Sequence, residues 1–176
     1  MTIKTDLHRL ADLLRRRNEV DAEIAALIDR PALPGHLGEW IAARVFDLDL
    51  HPSAVHKGSD AVFRSGPLKG RSVNVKMYGY QESMLDVHET EPPDCYLVLT
   101  GPRRTAATSK GAVRPFVITA AYVFLHEGLL RDGVKPGTAA SVRKHLWEAA
   151  MVWPEAGSRA LIVVGQQQAR MLELLR

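Results

Sequence analysis

One cysteine, Cys95, occurs in 176 residues. A lone thiol closes no intrachain disulfide and cannot build a zinc site that needs several thiolates. It precedes the apolar residues Tyr96, Leu97, Val98 and Leu99, which predicts a small buried core residue rather than a reactive thiol. Long apolar runs are also lacking. Those at 96–99, 120–125 and 160–164 are far below the roughly 18 to 20 residues that cross a bilayer, so no transmembrane helix is expected. The start of the chain turns charged at Lys4 and offers no apolar stretch followed by a small-residue cleavage site, so a cytoplasmic protein is expected. There is no G-x-x-x-x-G-K-[ST], no G-x-G-x-x-G, no G-x-S-x-G and no H-E-x-x-H. P-loop nucleotide hydrolysis, Rossmann-type redox chemistry and zinc-protease activity lose their usual signatures.

What is present suits an ordinary globular chain: 46% hydrophobic, 24% charged and mean hydropathy −0.11. Disorder is disfavoured, and the length suits one substantial core without a second domain of typical size. A net charge of +3 is compatible with a polyanionic partner but does not require one. Its distribution says more. No Asp or Glu lies between Cys95 and His126, while Arg103, Arg104, Lys110 and Arg114 fall in a segment rich in Gly, Thr, Ala and Ser. That segment reads as a cationic loop suited to phosphate contacts.

Along the chain, Leu7, Leu10, Leu14, Ile24 and Ile28 follow helical spacing, which predicts an amphipathic helix over 5–29 with Thr5 as N-cap and Pro31 and Pro34 beyond its end. Arg17 and Asp21 interrupt the stripe. A short helix pair across a homodimer and a helix packed on its own domain are equal readings, so residues 1–33 are set apart as a dimerisation or docking element. Residues 34–176 are read as a single domain. In it, a buried helix is expected over 36–46, strands over 60–64, 71–80, 95–100 and 116–125, and a hairpin loop over 66–70. Beyond these come a helix over 141–152, a strand over 160–164 and a last helix over 166–175. This order implies an α/β (α+β) fold with a mixed central sheet flanked by helices.

Polar residues stand where strand patterning would place others. On the strand around 72–78, Val73, Val75 and Met77 share one face, and Asn74, Lys76 and Tyr78 the other. Asp60 heads the preceding strand, which the hairpin folds antiparallel against the one bearing Lys76. Glu39 stands on the second helix among core-facing residues. A carboxylate pair can hold a hard divalent cation, which polarises a scissile phosphate, while a nearby lysine orients water or stabilises developing charge. The bland alternatives are a cross-strand Asp60–Lys76 ion pair and a Glu39 paired with Arg44 or another base. Asp86 and Asp94 are possible substitute ligands, with Asp94 better placed in the turn of Pro92 and Pro93. Tyr78 and Tyr80 suit base stacking on an open face, or otherwise the edge of the core. The histidines read as surface or capping residues.

A Glu-bearing helix (Gly38, Glu39), a strand opened by Lys57, Gly58, Ser59 and Asp60, and a strand with Asn74, Val75 and Lys76 together resemble the PD-(D/E)XK, restriction-endonuclease-like superfamily. The chain also resembles a small uncharacterised bacterial family of that fold, with stretches like Gly35-His36-Leu37-Gly38-Glu39-Trp40 and Asp94-Cys95-Tyr96-Leu97-Val98-Leu99-Thr100-Gly101-Pro102. The likeness spans roughly residues 34–102. It implies a metal-dependent nuclease acting on a phosphodiester, with DNA preferred, or a nuclease-fold protein that binds nucleic acid or a protein without catalysis. It further implies Asp60 and Glu39 as ligands of Mg²⁺ or Mn²⁺, and Lys76 as the water-activating or charge-stabilising group. Asn74 stands where the pattern has Asp or Glu, and an amide oxygen is a weaker ligand for such an ion.

Overall fold

The structure, a computed structural model, describes residues 3–52, 58–81, 83–102 and 115–176. Two helices open it, α1 (Ile3–Ile28) and α2 (Pro34–Phe46). α1 begins two residues before Thr5, which therefore lies inside the first turn rather than at the cap. Leu7, Leu10 and Leu14 are exposed, and only Ile28 of the expected stripe is buried. Pro34 suits the first helical position, where its missing N–H costs nothing. α2 closes on Asp47 in the left-handed region.

Strands β1 (Leu48–Leu50), β2 (Ala61–Phe63), β3 (Ser72–Tyr78), β4 (Met84–Val87), β5 (Cys95–Thr100) and β6 (Ala120–Leu125) follow. Then come α3 (His126–Arg131), β7 (Gly137–Ser141), α4 (Lys144–Ala150), β8 (Met151–Trp153) and α5 (Gln166–Glu173). Six strands form one sheet in the order β1-β2-β3-β5-β6-β8, and β4 pairs with β7 in a second, two-stranded sheet. β3 and β5 run parallel, and every other neighbouring pair is antiparallel. The fold is thus mixed α+β around a mixed sheet, as its alternating elements imply. No helix among the described residues is long and apolar enough to cross a membrane.

Each sheet face has its own core. Val73, Val75, Cys95, Leu97, Leu99, Ala121 and Val123 pack with Ile41, Ala42, Val45 and Phe46 of α2 and Leu172 of α5. On the other face, Tyr96, Val98, Tyr122 and Phe124 pack under β4, α3 and α4, with Leu85, Val87, Leu129 and Trp147. Residues alternate between faces along a strand, so both cores and the continuous apolar reading of β5 and β6 have one cause. Cys95 is buried as expected, and burial pushes its thiol up to about 12.

Two expectations near the C-terminus fail. Residues 160–164 form no strand; Ala160, Leu161, Ile162 and Val164 pack against the α2-side core as irregular chain. The sheet position beside β6 is taken by β8, which overlaps the end of the segment expected to be helical, and α4 ends before it. Backbone contacts fix the fold-back: Gly157 N–H donates to Met151 O at 2.8 Å and Arg159 N–H to Ala149 O at 2.8 Å. A Cβ on Gly157 would lie 2.0 Å from Glu148 O.

Candidate active site

β3 carries the site. Its Val73–Val75–Met77 face packs on α2, and Asn74, Lys76 and Tyr78 share the opposite face. α2 sits so close that a Cβ on Gly38 would lie 2.7 Å from Met77 Cβ, and this contact fixes Glu39 beside the sheet. The hairpin expected at 66–70 forms: Gly70 N–H donates to Phe63 O at 2.8 Å, with Gly66 and Gly70 at positive φ. β2 is thereby laid antiparallel on β3 with Ala61 opposite Val73.

Asp60, one residue ahead of β2, extends that register to Asn74. Its N–H donates to Val73 O at 2.9 Å, and its carbonyl accepts from His51 N–H at 2.9 Å. Side-chain Oδ2 accepts from Val75 N–H at 2.7 Å. Burial raises the Asp60 carboxyl above its ordinary value, while the Val75 amide and then Lys76, His88 and His51 pull it down. The charge of Lys76 therefore reaches Asp60 across the hairpin.

Glu39 joins from the edge. Arg30 donates from Nη1 to Glu39 Oε2 at 2.8 Å and from Nη2 to His51 O at 3.2 Å, so the base paired with Glu39 is Arg30. Arg44 lies over the Trp40 ring, 3.4 Å from its centroid. Burial raises the Glu39 carboxyl, the charge of Asp60 raises it further, and Arg30 and His36 oppose both. The charge of Asp60 thus hinders the ionisation of Glu39.

Asn74 is 6% exposed, and among the described residues no donor reaches its Oδ1. It lies between Asp60 on one side and Tyr96 on the other, because β3 pairs with β5 with Asn74 opposite Tyr96. A buried acceptor without a donor is costly. Among the described residues no three His, Cys, Asp or Glu side chains gather into a metal-holding group; the oxygen donors of this region are the Asp60 and Glu39 carboxylates and Asn74 Oδ1.

Sequence reasoning missed the far side of this face. The Tyr96 hydroxyl accepts from His88 N–H at 2.9 Å and meets His126 Nδ1 at 3.3 Å. His88 is held below its ordinary value by burial and then by Lys76, against Asp60 and Asp86. Burial likewise lowers His126. Both rings are thus biased to the neutral form. No sequence motif marks this cluster, because β4 and α3 bring its members together from separate segments. Gly58, at φ +87°, packs against the turn that follows β4, where a Cβ would lie 1.9 Å from Glu91 O. Gly58→Ala is expected to lower stability by about 1 to 3 kcal/mol through strain and this collision, measured as the denaturant midpoint. Tyr96→Phe, which leaves the His88 amide without its acceptor, is expected to cost about 1 to 2 kcal/mol by the same measurement.

The other candidates have structural employment. Asp86 Oδ1 accepts from Ala139 N–H at 2.8 Å, tying β4 to β7. Its N–H donates to the Tyr78 hydroxyl at 3.1 Å, and burial leads in pushing that phenol up to about 12. Asp94 accepts from the N–H and the hydroxyl of Ser72, both at 2.8 Å, and these bonds hold it below the usual carboxylate range. It fastens the start of β3. Arg103, Arg104, Lys110 and Arg114 lie outside the described residues; the chain enters their segment beyond β5, where Gly101 N–H donates to Tyr78 O at 2.9 Å. Comparison of the sequence with protein-family models and with curated proteins finds no match.

Proposed function

We propose that this chain is a divalent-metal-dependent nuclease of the restriction-endonuclease-like, PD-(D/E)XK type, cleaving a phosphodiester in DNA in preference to RNA. The observation that carries the reading is the placement of Asp60 opposite Asn74, on the sheet face that also bears Lys76, with its Oδ2 held by the Val75 amide at 2.7 Å. Supporting it, α2 precedes the antiparallel run β1-β2-β3, in the order that the resemblance uses. The division into an N-terminal element at 1–33 and a nuclease-like domain at 34–176, and a place in the cytoplasm where DNA is at hand, belong to the same reading.

Asp60 and Glu39 would hold Mg²⁺ or Mn²⁺, with Asn74 Oδ1 as a neutral third donor. When bound, such an ion polarises the phosphate and lowers the pKa of water. Lys76 orients the attacking oxygen and balances charge that grows on the phosphate. Arg103, Arg104, Lys110 and Arg114 hold neighbouring phosphates without reading bases. The test is titration of Mg²⁺ or Mn²⁺ by calorimetry, beside cleavage of plasmid and single-stranded DNA. Asp60→Ala should abolish both, and cleavage that survives in that variant rejects the reading.

A second reading, a protein of the same fold that binds nucleic acid without cutting it, is favoured by one observation: Arg30 already occupies Glu39 Oε2 at 2.8 Å. It expects DNA binding that weakens with salt, is lost on charge reversal at Arg103 and Arg104, and is indifferent to divalent metal.

A further inference from the structure

α1 runs for 26 residues, yet it packs on the rest of the protein chiefly at its C-terminal end. Leu10 is 51% exposed, Leu13 50%, Val20 54% and Leu27 70%. With the half-buried Ile24 they recur at alternating steps of three and four, and Arg17 fills the one remaining place. That is a seven-residue repeat over two and a half heptads, the pattern by which one helix packs along another with knobs into holes. An exposed apolar seam of this length is not the surface of a helix designed to stay in water.

Charge along the same helix is divided. Residues 3–17 hold Lys4, Arg9, Arg15, Arg16 and Arg17 against Asp6 and Asp12, whereas residues 18–28 hold Glu19, Asp21 and Glu23 with no base. Within one helix this basic-before-acidic order is the less favourable direction for pairs four apart, and only Arg17–Asp21, at 3.4 Å, forms such a bridge within residues 15–23. A parallel partner of the same sequence would set basic half on basic half. An antiparallel one sets each basic half on an acidic half.

We propose that α1 pairs with α1 of a second copy of this chain as an antiparallel two-helix seam centred between Asn18 and Glu19. In this alignment Leu10 lies opposite the partner's Leu27 and Leu13 opposite the partner's Ile24. Arg16 flanks the partner's Glu23, and the two-fold axis repeats each contact. The seam is isologous, so it closes at two copies and does not propagate. Each Arg17 stands near the centre, where an apolar residue would be more stabilising, and a polar residue at a core position fixes register at some cost in stability. Arg30, just past α1, holds Glu39, so each copy carries its own site at the root of its helix.

The experiment is sedimentation equilibrium of the full chain at low and at high salt. The expected mass is twice 19.5 kDa, with dissociation favoured as salt screens the charged flanks. The triple variant Arg15→Glu, Arg16→Glu, Arg17→Glu should be monomeric, and so should Glu19→Lys, Asp21→Lys, Glu23→Lys. An equimolar mixture of the two should recover the dimer, which shows that each variant remains folded and able to pair. For direction, chains with Leu10→Cys and chains with Leu27→Cys should cross-link to each other on oxidation far more than Leu10→Cys chains cross-link among themselves. A wild-type monomer at all concentrations overturns the proposal, including one that sediments instead with anionic vesicles or binds another protein through α1. Preferential Leu10→Cys self-cross-linking, which requires a parallel pair, also overturns it, as does a dimer indifferent to both charge reversals.

Discussion

Lys76→Ala is expected to reduce DNA cleavage by about 100- to 1,000-fold, the range for loss of one preorganised group that stabilises transition-state charge. Binding of Mg²⁺ or Mn²⁺ should be retained or strengthened. The reason lies in the position of Lys76: it shares the face of Asn74, and its charge lowers the Asp60 carboxyl without being a metal ligand. Removing the ammonium takes a repelling cation away from the proposed metal position and leaves Asp60 and Glu39 in place. Single-turnover cleavage together with calorimetric metal titration separates the two quantities. A variant that cuts at the wild-type rate would show that Lys76 only neutralises Asp60. Lys76→Arg should recover little, because a planar, forked cation does not occupy the place of a compact ammonium.

The second large effect is expected from Asn74→Asp, which supplies the carboxylate that the resemblance leads one to expect. Without metal it would place a second buried carboxylate beside that of Asp60, and an uncompensated buried charge costs about 3 to 5 kcal/mol. At neutral pH the variant should therefore unfold at markedly lower denaturant than the wild type. With Mg²⁺ or Mn²⁺ the order should narrow or reverse, because a carboxylate binds such an ion more tightly than an amide oxygen does. Chemical denaturation with and without metal reads this directly. Equal stability of the two proteins in metal-free buffer would mean that Asn74 Oδ1 does not face a charged site.

The pH dependence follows from the wild-type carboxyls. Asp60 and Glu39 are raised above ordinary values of 3.8 and 4.5 in the folded protein. The folded state therefore keeps these protons more readily than the unfolded chain does. Their contribution to stability is greatest below the ordinary values and is lost as pH rises through the raised ones. Added divalent metal should restore stability above that window and do little below it, where protons compete for the same oxygens. Asp60→Asn, which can still accept the Val75 amide, should flatten both responses. Melting temperatures measured from pH 4 to 8 with and without Mn²⁺ check this expectation, to about the resolution at which such linkage is seen.

Much of this arrangement was legible because strand periodicity is strict. The alternation of Val73, Val75 and Met77 with Asn74, Lys76 and Tyr78 defines the polar face by spacing alone, and the glycines at 66 and 70 mark the hairpin that lays Asp60 beside it. The buried thiol of Cys95 was equally plain, since β5 is apolar on both sides. The short strands β1, β4, β7 and β8 were not. A run of three to five residues carries too little periodic signal, and what makes it a strand is the partner it meets.

The amino-acid order by itself determined which residues share a face, where the turns fall and that one mixed sheet would form between helices, because those properties depend on spacing along the chain. Only the tertiary structure decided that Arg30 rather than Arg44 takes Glu39, that 160–164 packs as irregular chain while 151–153 joins the sheet, and that His88, Tyr96 and His126 close the far side of the site. Each of those outcomes depends on segments distant in sequence competing for the same space and the same hydrogen-bonding groups, and no local pattern encodes which of them wins.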